Sequence, residues 1–420
     1  MSHQAGIEAI GFYGGSAFID VDVLAHHRGL GQERFENLLM QQKAVALPCE
    51  DPVSFAINAA KPLVDSLSAA DRDSIEMVIT CSESGIDFGK PMSSYVHDLL
   101  GLHRNCRLFE LKSACYSGTA GFSTAVNYVL SQASPGGKAL VVTTDMAKYL
   151  VAEGGSALSA DWSFAEPSGG AGAIAMLISD QPRLFSVDVG ANGFYGYEVM
   201  DTCRPIPDSE AGDADLSLLS YLDCCEGAFR DYLTRVPEVD YVNTFDQLCF
   251  HTPFGGMVKG AHRSMVRRFA RDRASTTGED FTRRVWPGLT LCRRVGNIMG
   301  GSLFLNLLGT LLSADFSQPR RLGCFAYGSG CSSEFFSGVA DAESQRLVEA
   351  AGLTESLDRR LELSMAEYDH LMSLNDAVAF GTRNWSLGPE LPPNLYDQLR
   401  GSGRYVLSTI NEFHREYTQL

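Results

Sequence analysis

Three short stretches of the sequence set a reactive side chain among small or glycine neighbours. The first is 113–121, Ser-Ala-Cys-Tyr-Ser-Gly-Thr-Ala-Gly, in which Cys115 stands where the apolar spacing predicts a helix to begin. A thiol at that point lies at the positive end of the peptide dipoles, which favours the thiolate, and its small neighbours leave room for a thioester to approach. The backbone amide of Cys115 can also contribute to an oxyanion hole. Free cysteines are by default small buried hydrophobes, and this setting is what separates Cys115 from the rest of the eleven. The second stretch is 80–85, Thr-Cys-Ser-Glu-Ser-Gly, where Glu83 follows an apolar strand. A solvated turn carboxylate is the common case, but one held in an apolar setting is raised towards the strength of a general base. The third is 250–256, Phe-His-Thr-Pro-Phe-Gly-Gly, with His251 at a strand end, placed to donate a proton or a hydrogen bond to a substrate carbonyl.

The elements that must position these groups read as an α/β pattern. Short β-rich runs at 75–81 (IEMVITC), 138–145 (KALVVTTD), 173–178 (AIAMLI), 184–189 (LFSVDV) and 246–251 (DQLCFH) alternate with helical patterns. The residues after Cys115 predict a buried helix that stops at Pro135-Gly136-Gly137. One long apolar helix is expected over 289–312, a strand over 323–327, and a charged, helix-prone tail over 341–420. Two similar halves, 1–180 and 181–420, account for the repetition. The chain has 420 residues, 45% hydrophobic and 20% charged, so a sizeable core is expected and general disorder is excluded. A net charge of -17 argues against non-specific nucleic-acid binding. The cysteines contain no CxxC pair, which indicates neither a zinc ribbon nor a disulfide framework, and no metal is expected. With no signal-peptide pattern at 1–15 and no apolar run long enough to span a bilayer, a cytoplasmic, membrane-free protein is the expectation.

Seven motifs, in order, carry a resemblance that joins these signals: TCSESG at 80–85, ACYSGTAG at 114–121, PSGGAGAIAM at 167–176, DLSLLSYLD at 215–223, FHTPFGGMVK at 250–259, VGNIMG at 295–300 and YGSG at 327–330. The chain resembles the 3-hydroxy-3-methylglutaryl synthase family of the thiolase superfamily from about residue 7 to residue 338. The resemblance implies a thiolase-like α/β fold with layered αβαβα architecture, and a catalytic set falling on Glu83, Cys115 and His251. Cys115 would carry an acetyl group, Glu83 would remove a proton from its methyl carbon, and His251 would bind the acceptor ketone on which that carbon adds. Ser329 and Asn297 are the implied oxyanion and acceptor-orienting residues. No metal or redox cofactor is implied, and a homodimer is.

The family has a coenzyme A branch and a branch that takes substrates on the phosphopantetheine of donor and acceptor acyl carrier proteins to place β-branches on polyketides. The wording of 81–91 and 198–224 is similar to the second, and 34–40 lacks the glycine-containing stretch usual in the first. Charge provides a separate argument. Residues 259–273 concentrate basic side chains in an acidic chain, and a helix there would align Arg263, Arg267 and Arg271 on one face beside an apolar stripe of Met257, Ala261, Met265 and Phe269. Lys259, Arg263, Arg267, Arg268 and Arg271, with Arg34 as a further member, are therefore the expected carrier-protein and phosphopantetheine contacts. The alternatives are a coenzyme A enzyme using acetyl-CoA and acetoacetyl-CoA, and a non-catalytic carrier-binding scaffold. A ketoacyl synthase is disfavoured by Glu83 and by His-Thr-Pro-Phe in place of its usual histidine motif.

Overall fold

A computed structural model describes residues 4–31, 35–147, 162–206, 209–388 and 391–420. Its centre is a nine-stranded mixed sheet built from β1 (Gly6–Tyr13), β4 (Ile75–Cys81), β5 (Arg107–Leu111), β6 (Lys138–Met146), β7 (Ala171–Ser179), β8 (Phe185–Gly196), β11 (Gln247–Phe250), β12 (Arg320–Gly328) and β13 (Ser332–Ala340). Smaller sheets use β2 (Ala17–Asp20) and β3 (Gln42–Val45) with β14 (Leu361–Glu362), β9 (Thr202–Ile206) with β10 (Ser209–Gly212), and β15 (Trp385–Ser386) with β16 (Tyr405–Asn411) and β17 (His414–Gln419).

The large sheet runs β11-β12-β13-β8-β1-β7-β6-β4-β5. Read outward from its middle, β1-β7-β6-β4 and β8-β13-β12-β11 are the same arrangement. In each, the first two neighbouring pairs are antiparallel and the last is parallel. The two runs meet through a short antiparallel contact, Gly6 with Ser186 and Ile7 with Phe185. Among the described strands of this sheet, only β5 lacks a counterpart.

β6 and β7 are buried along their whole length. Strands covered on both faces need no polar alternation, hence the unbroken apolar wording AIAMLI. The covering helices are Pro52–Asp65 on one face of β1, β6 and β7, and Ser117–Ser131 on β4, β6 and β7. In the second run Ser302–Ser313 lies on β11 and β12, and Ala214–Arg235 on β8, β12 and β13. Phe122 of Ser117–Ser131 meets Phe304 of Ser302–Ser313 edge-on at 5.6 Å, so these two helices form a shared middle layer. The order helix, first run, helix pair, second run, helix is the layered α/β architecture that the resemblance implies.

Three expectations need correction. The apolar run 289–312 is two helices, Trp286–Val295 and Ser302–Ser313, because Gly296 adopts a φ of 93° and Asn297 Oδ1 accepts from both Met299 N and Ser302 Oγ, turning the chain. The tail is not only helical: β16 and β17 form a hairpin turned at Glu412 and Phe413, both with positive φ and neither an Asn or Gly that would announce it. Arg271 is not on the basic helix, which ends at Phe269 and gives way to a 3₁₀ turn. Arg34 lies outside the described residues.

Candidate active site

Cys115 sits two residues before the first residue of the Ser117–Ser131 helix. The preceding residue, Ala114, is left-handed with φ 45°, a conformation that costs an L-residue roughly 1–2 kcal/mol. The turn is closed by Tyr116 N donating to Ser113 O at 3.0 Å and Ser117 N to Ala114 O at 3.1 Å. Among the described residues no side chain caps the helix start, so its dipole is left open at the cysteine turn. Cys115 is one of three partly exposed cysteines. Most of the others are buried, and burial pushes thiols such as Cys81, Cys225 and Cys324 well up, Cys292 to about 12, leaving them protonated.

Glu83 follows β4 in a turn organised by a buried carboxylate. Asp145, at the end of β6, accepts on Oδ1 from Ser82 Oγ (3.0 Å), Glu83 N (2.9 Å) and Ser84 N (3.1 Å), and on Oδ2 from Gly300 N at 3.3 Å. Burial raises Asp145 to about 6, against the pull of these donors and of nearby Arg204. The Glu83 carboxylate lies 3.0 Å from Arg204 Nη2.

His251 follows β11 directly. Its amide donates to Phe325 O at 2.7 Å, and its carbonyl accepts from the Tyr221 hydroxyl at 2.7 Å. The residue is 2% exposed, and desolvation lowers its pKa to about 3, so at neutral pH it carries an uncharged imidazole. Among the described residues its Nδ1 has no hydrogen-bond partner. Next to it, Thr252 Oγ1 accepts from Asn306 Nδ2 at 3.1 Å, tying the histidine loop to the middle-layer helix.

Close backbone approaches draw these loops together. A Cβ on Gly328, at the end of β12, would lie 2.5 Å from Tyr116 N and 2.8 Å from Ser113 O, so the approach to the Ser329 loop against the cysteine turn requires glycine. A Cβ on Gly118 would lie 2.1 Å from Gly300 O, which fixes the 296–301 loop on the same helix start. Asp201 secures the far side, accepting from the Tyr327 hydroxyl at 2.5 Å and from Gly330 N at 2.9 Å, the two residues that flank Gly328 and Ser329. Asn297 spends its carbonyl oxygen locally, so its amide nitrogen is the atom through which it can act on a substrate.

The ends of β4, β6, β11 and β12 thus bring Glu83, Cys115, His251, Asn297 and Ser329 to one interlocked set of loops. Sequence reasoning missed Asp145, Asp201 and Arg204. For Asp145 a signal existed, an acid near the end of a β-rich run, of the same kind that drew attention to Glu83.

The basic helix, Gly255–Phe269, leaves the histidine loop directly. Met257, Ala261 and Met265 are buried and Phe269 half-buried, as the stripe predicts. Lys259, Arg263 and Arg267 are exposed on the opposite face. Arg268 is committed to Glu226 at 2.8 Å, a carboxylate that also binds Arg230. Among the described residues no cluster of three or more His, Cys, Asp or Glu is arranged to hold a metal ion, and no helix is long and apolar enough to cross a membrane.

A layered fold of paired halves with a cysteine turn, a carboxylate and a histidine on one set of strand ends defines a condensing-enzyme class of protein. Comparison with known proteins places the chain within it: residues 1–182 match the hydroxymethylglutaryl-coenzyme A synthase N-terminal family and residues 267–419 its C-terminal family. The chain belongs to the hydroxymethylglutaryl-coenzyme A synthase family. It is 59% identical over 414 residues to the polyketide biosynthesis 3-hydroxy-3-methylglutaryl-ACP synthase PksG of Bacillus subtilis (strain 168), covering 99% of both chains. It is 32% identical over 415 residues to the hydroxymethylglutaryl-CoA synthase of Enterococcus faecalis, covering 98% of this chain and 99% of that one. Among solved structures, the HMG synthase of the curacin biosynthetic pathway in complex with holo donor-ACP superposes with a TM-score of 0.95 at 59% identity, covering 99% of this chain and all of that one.

Proposed function

We propose that the enzyme is a 3-hydroxy-3-methylglutaryl-ACP synthase of polyketide β-branching, joining an acetyl group from one acyl carrier protein to the β-ketone of an acyl chain on another. The observation that carries the chemistry is the convergence of the Cys115, Glu83 and His251 loops on one set of strand ends, locked by Gly328 against the cysteine turn. Residues 1–180 would supply the nucleophile and base, and residues 181–420 the acceptor side.

Cys115 attacks the donor thioester and keeps the acetyl group, releasing the carrier thiol. Glu83 takes a proton from the acetyl methyl, the C–H electron pair moving to the thioester oxygen as an enolate, with the amides of Cys115 and Ser329 as its donors. The nucleophilic carbon adds to the acceptor ketone, whose oxygen becomes an alkoxide. His251, held neutral by burial, donates a hydrogen bond to this oxygen, and the proton that Glu83 removed is returned to it, leaving a tertiary hydroxyl and a free Glu83 carboxylate, while Asn297 orients the acceptor. Water then cleaves the Cys115 thioester, giving a free carboxylate on the branched chain, which remains on the acceptor carrier. The substrates arrive on phosphopantetheine, and the chain's own side chains supply the rest.

Carrier dependence is supported by the likeness to PksG and to a curacin-pathway enzyme seen with its donor carrier, and by the exposed Lys259, Arg263 and Arg267 face beside the histidine loop. Such a face steers and orients an acidic carrier protein and its phosphate. Arg271, beyond the helix end, and Arg268, held by Glu226, contribute to the same positive region; Arg34 is a further proposed contact. We also propose a homodimer: β5 is the outermost strand of the sheet, and its Leu108, Phe109 and Leu111 are only half-buried. Eleven thiols fit a reducing, cytoplasmic location.

Intact-protein mass spectrometry tests the reading. An acetyl-loaded carrier protein is expected to acetylate Cys115 rapidly and free acetyl-CoA slowly. Rapid acetylation by acetyl-CoA would instead assign the enzyme to the coenzyme A branch.

A further inference from the structure

We propose that Arg204 is a positioning residue for Glu83, acting across the junction between the two halves. The inference deepens the reading of Glu83 as the base and rests on it.

Arg204 lies on β9, 121 residues from Glu83 in the chain. Its guanidinium contacts that residue twice: Nη1 donates to the Glu83 carbonyl at 3.1 Å, and Nη2 lies 3.0 Å from Glu83 Oε1. From the other side, the Glu83 amide donates to Asp145 Oδ1 at 2.9 Å. The Glu83 main chain is therefore held by an acceptor from β6 and by a donor from β9, and its carboxylate is tied to the same β9 side chain. The side chains of Arg204 and Glu83 are 19% and 15% exposed, so this pair is less screened than one at the surface.

Chemistry explains why such a clamp matters. A glutamate has three rotatable side-chain bonds, and proton abstraction requires its oxygen within about 3 Å of the proton's carrier atom or one water away. A planar guanidinium can hold a carbonyl and a carboxylate of one residue together, which a lysine ammonium cannot do with the same fixed geometry. Arginine also stays protonated, so it never competes for the methyl proton; that proton passes to Glu83, and Arg204 gains and loses nothing.

The clamp is itself anchored at the acceptor side. Asp201, immediately before β9, accepts from the Tyr327 hydroxyl and Gly330 N. Residues 201–204 thus tie the Ser329 loop at one end and the base at the other, which places Glu83 relative to the oxyanion side of the pocket as well as to its own strand.

The test compares wild type, Arg204→Ala, Arg204→Lys and Glu83→Asp, with the double variant Glu83→Asp/Arg204→Ala, each acetylated from the donor carrier in deuterated water. Mass spectrometry reads the rate of Cys115 acetylation and the rate of deuterium uptake into the acetyl methyl. Arg204→Ala is expected to slow uptake relative to acetylation by on the order of 10²-fold, the scale of a misplaced reacting group. Arg204→Lys should fall between it and wild type. In the Glu83→Asp background the same alanine substitution should cost much less, because the shorter carboxylate has already left the clamp. Equal losses in acetylation and uptake, or fully additive losses in the double variant, would overturn the inference. Should Arg204→Ala not fold, Arg204→Lys carries the test: uptake at the wild-type rate overturns it, and a selective loss supports it. Glu83→Gln separates the two readings, because undiminished uptake there would remove Glu83 as the base, whatever Arg204 does.

Discussion

The two runs of the central sheet share strand order and direction yet end in opposite chemistry. In the first, β4 and β6 lead into Glu83 and Asp145, a carboxylate turn held by backbone amides, beside a cysteine at a helix start. In the second, the matching strands β11 and β12 lead into His251 and the Tyr327–Gly330 loop, and the histidine is so buried that it carries no charge. In the proposed mechanism one half holds the nucleophile and accepts the proton, and the other presents neutral donors. A duplicated scaffold acquires a reaction with two ends by changing which side chain follows each equivalent strand, while the middle-layer helices stay in place.

That contrast can be broken from either side. The largest effect is expected for Cys115→Ala, which should form no acyl adduct and lose condensation by roughly 10⁴-fold or more. Glu83→Gln should still acetylate but condense about 10³-fold more slowly, the usual range for a lost general base; rapid condensation by this variant in a quench-flow assay would remove the first half's assigned role. Gly328→Ala tests the lock between the halves. Its Cβ would meet Tyr116 N at 2.5 Å, so thermal unfolding should show a loss of about 1–3 kcal/mol together with slower Cys115 acetylation.

A smaller, pH-dependent effect distinguishes the neutral histidine. With a folded-state pKa of about 3 against 6.5 unfolded, His251 is protonated more readily in the unfolded chain. Its contribution to stability is therefore intact above pH 6.5 and is lost as the pH falls from there towards 3. Wild type should lose stability more steeply than His251→Gln below pH 6.5, by on the order of 1 kcal/mol per pH unit; parallel curves would mean that the ring is charged or solvated. The smallest effect concerns the basic face. Arg267→Glu should slow acetylation from the carrier protein about 10-fold while leaving a small thioester donor little affected, and the difference should shrink with added salt.

Much of this was readable in the sequence, and the parts that were not share a cause. The strand at Ile75–Cys81, the buried wording of β6 and β7, and the cysteine before its helix depend on neighbours in the chain. The stops at Gly296 and at Glu412–Phe413 depend on backbone conformations, one carried by a single glycine within an apolar run and the other by residues that rarely adopt them. Asp145, Asp201 and Arg204 act through hydrogen bonds to residues 61 to 155 positions away, and only the folded chain brings those partners together. The same holds for the tail, whose Arg415 and Tyr417 both bind Asp51 at the start of the Pro52–Asp65 helix.

The most direct test of the division between the halves is deuterium uptake by the acetyl methyl, measured beside condensation in Glu83→Gln and His251→Ala after both have been acetylated on Cys115. Glu83→Gln is expected to lose uptake and condensation together, whereas His251→Ala keeps uptake and loses condensation. Uptake retained in the first variant, or lost in the second, would contradict that division.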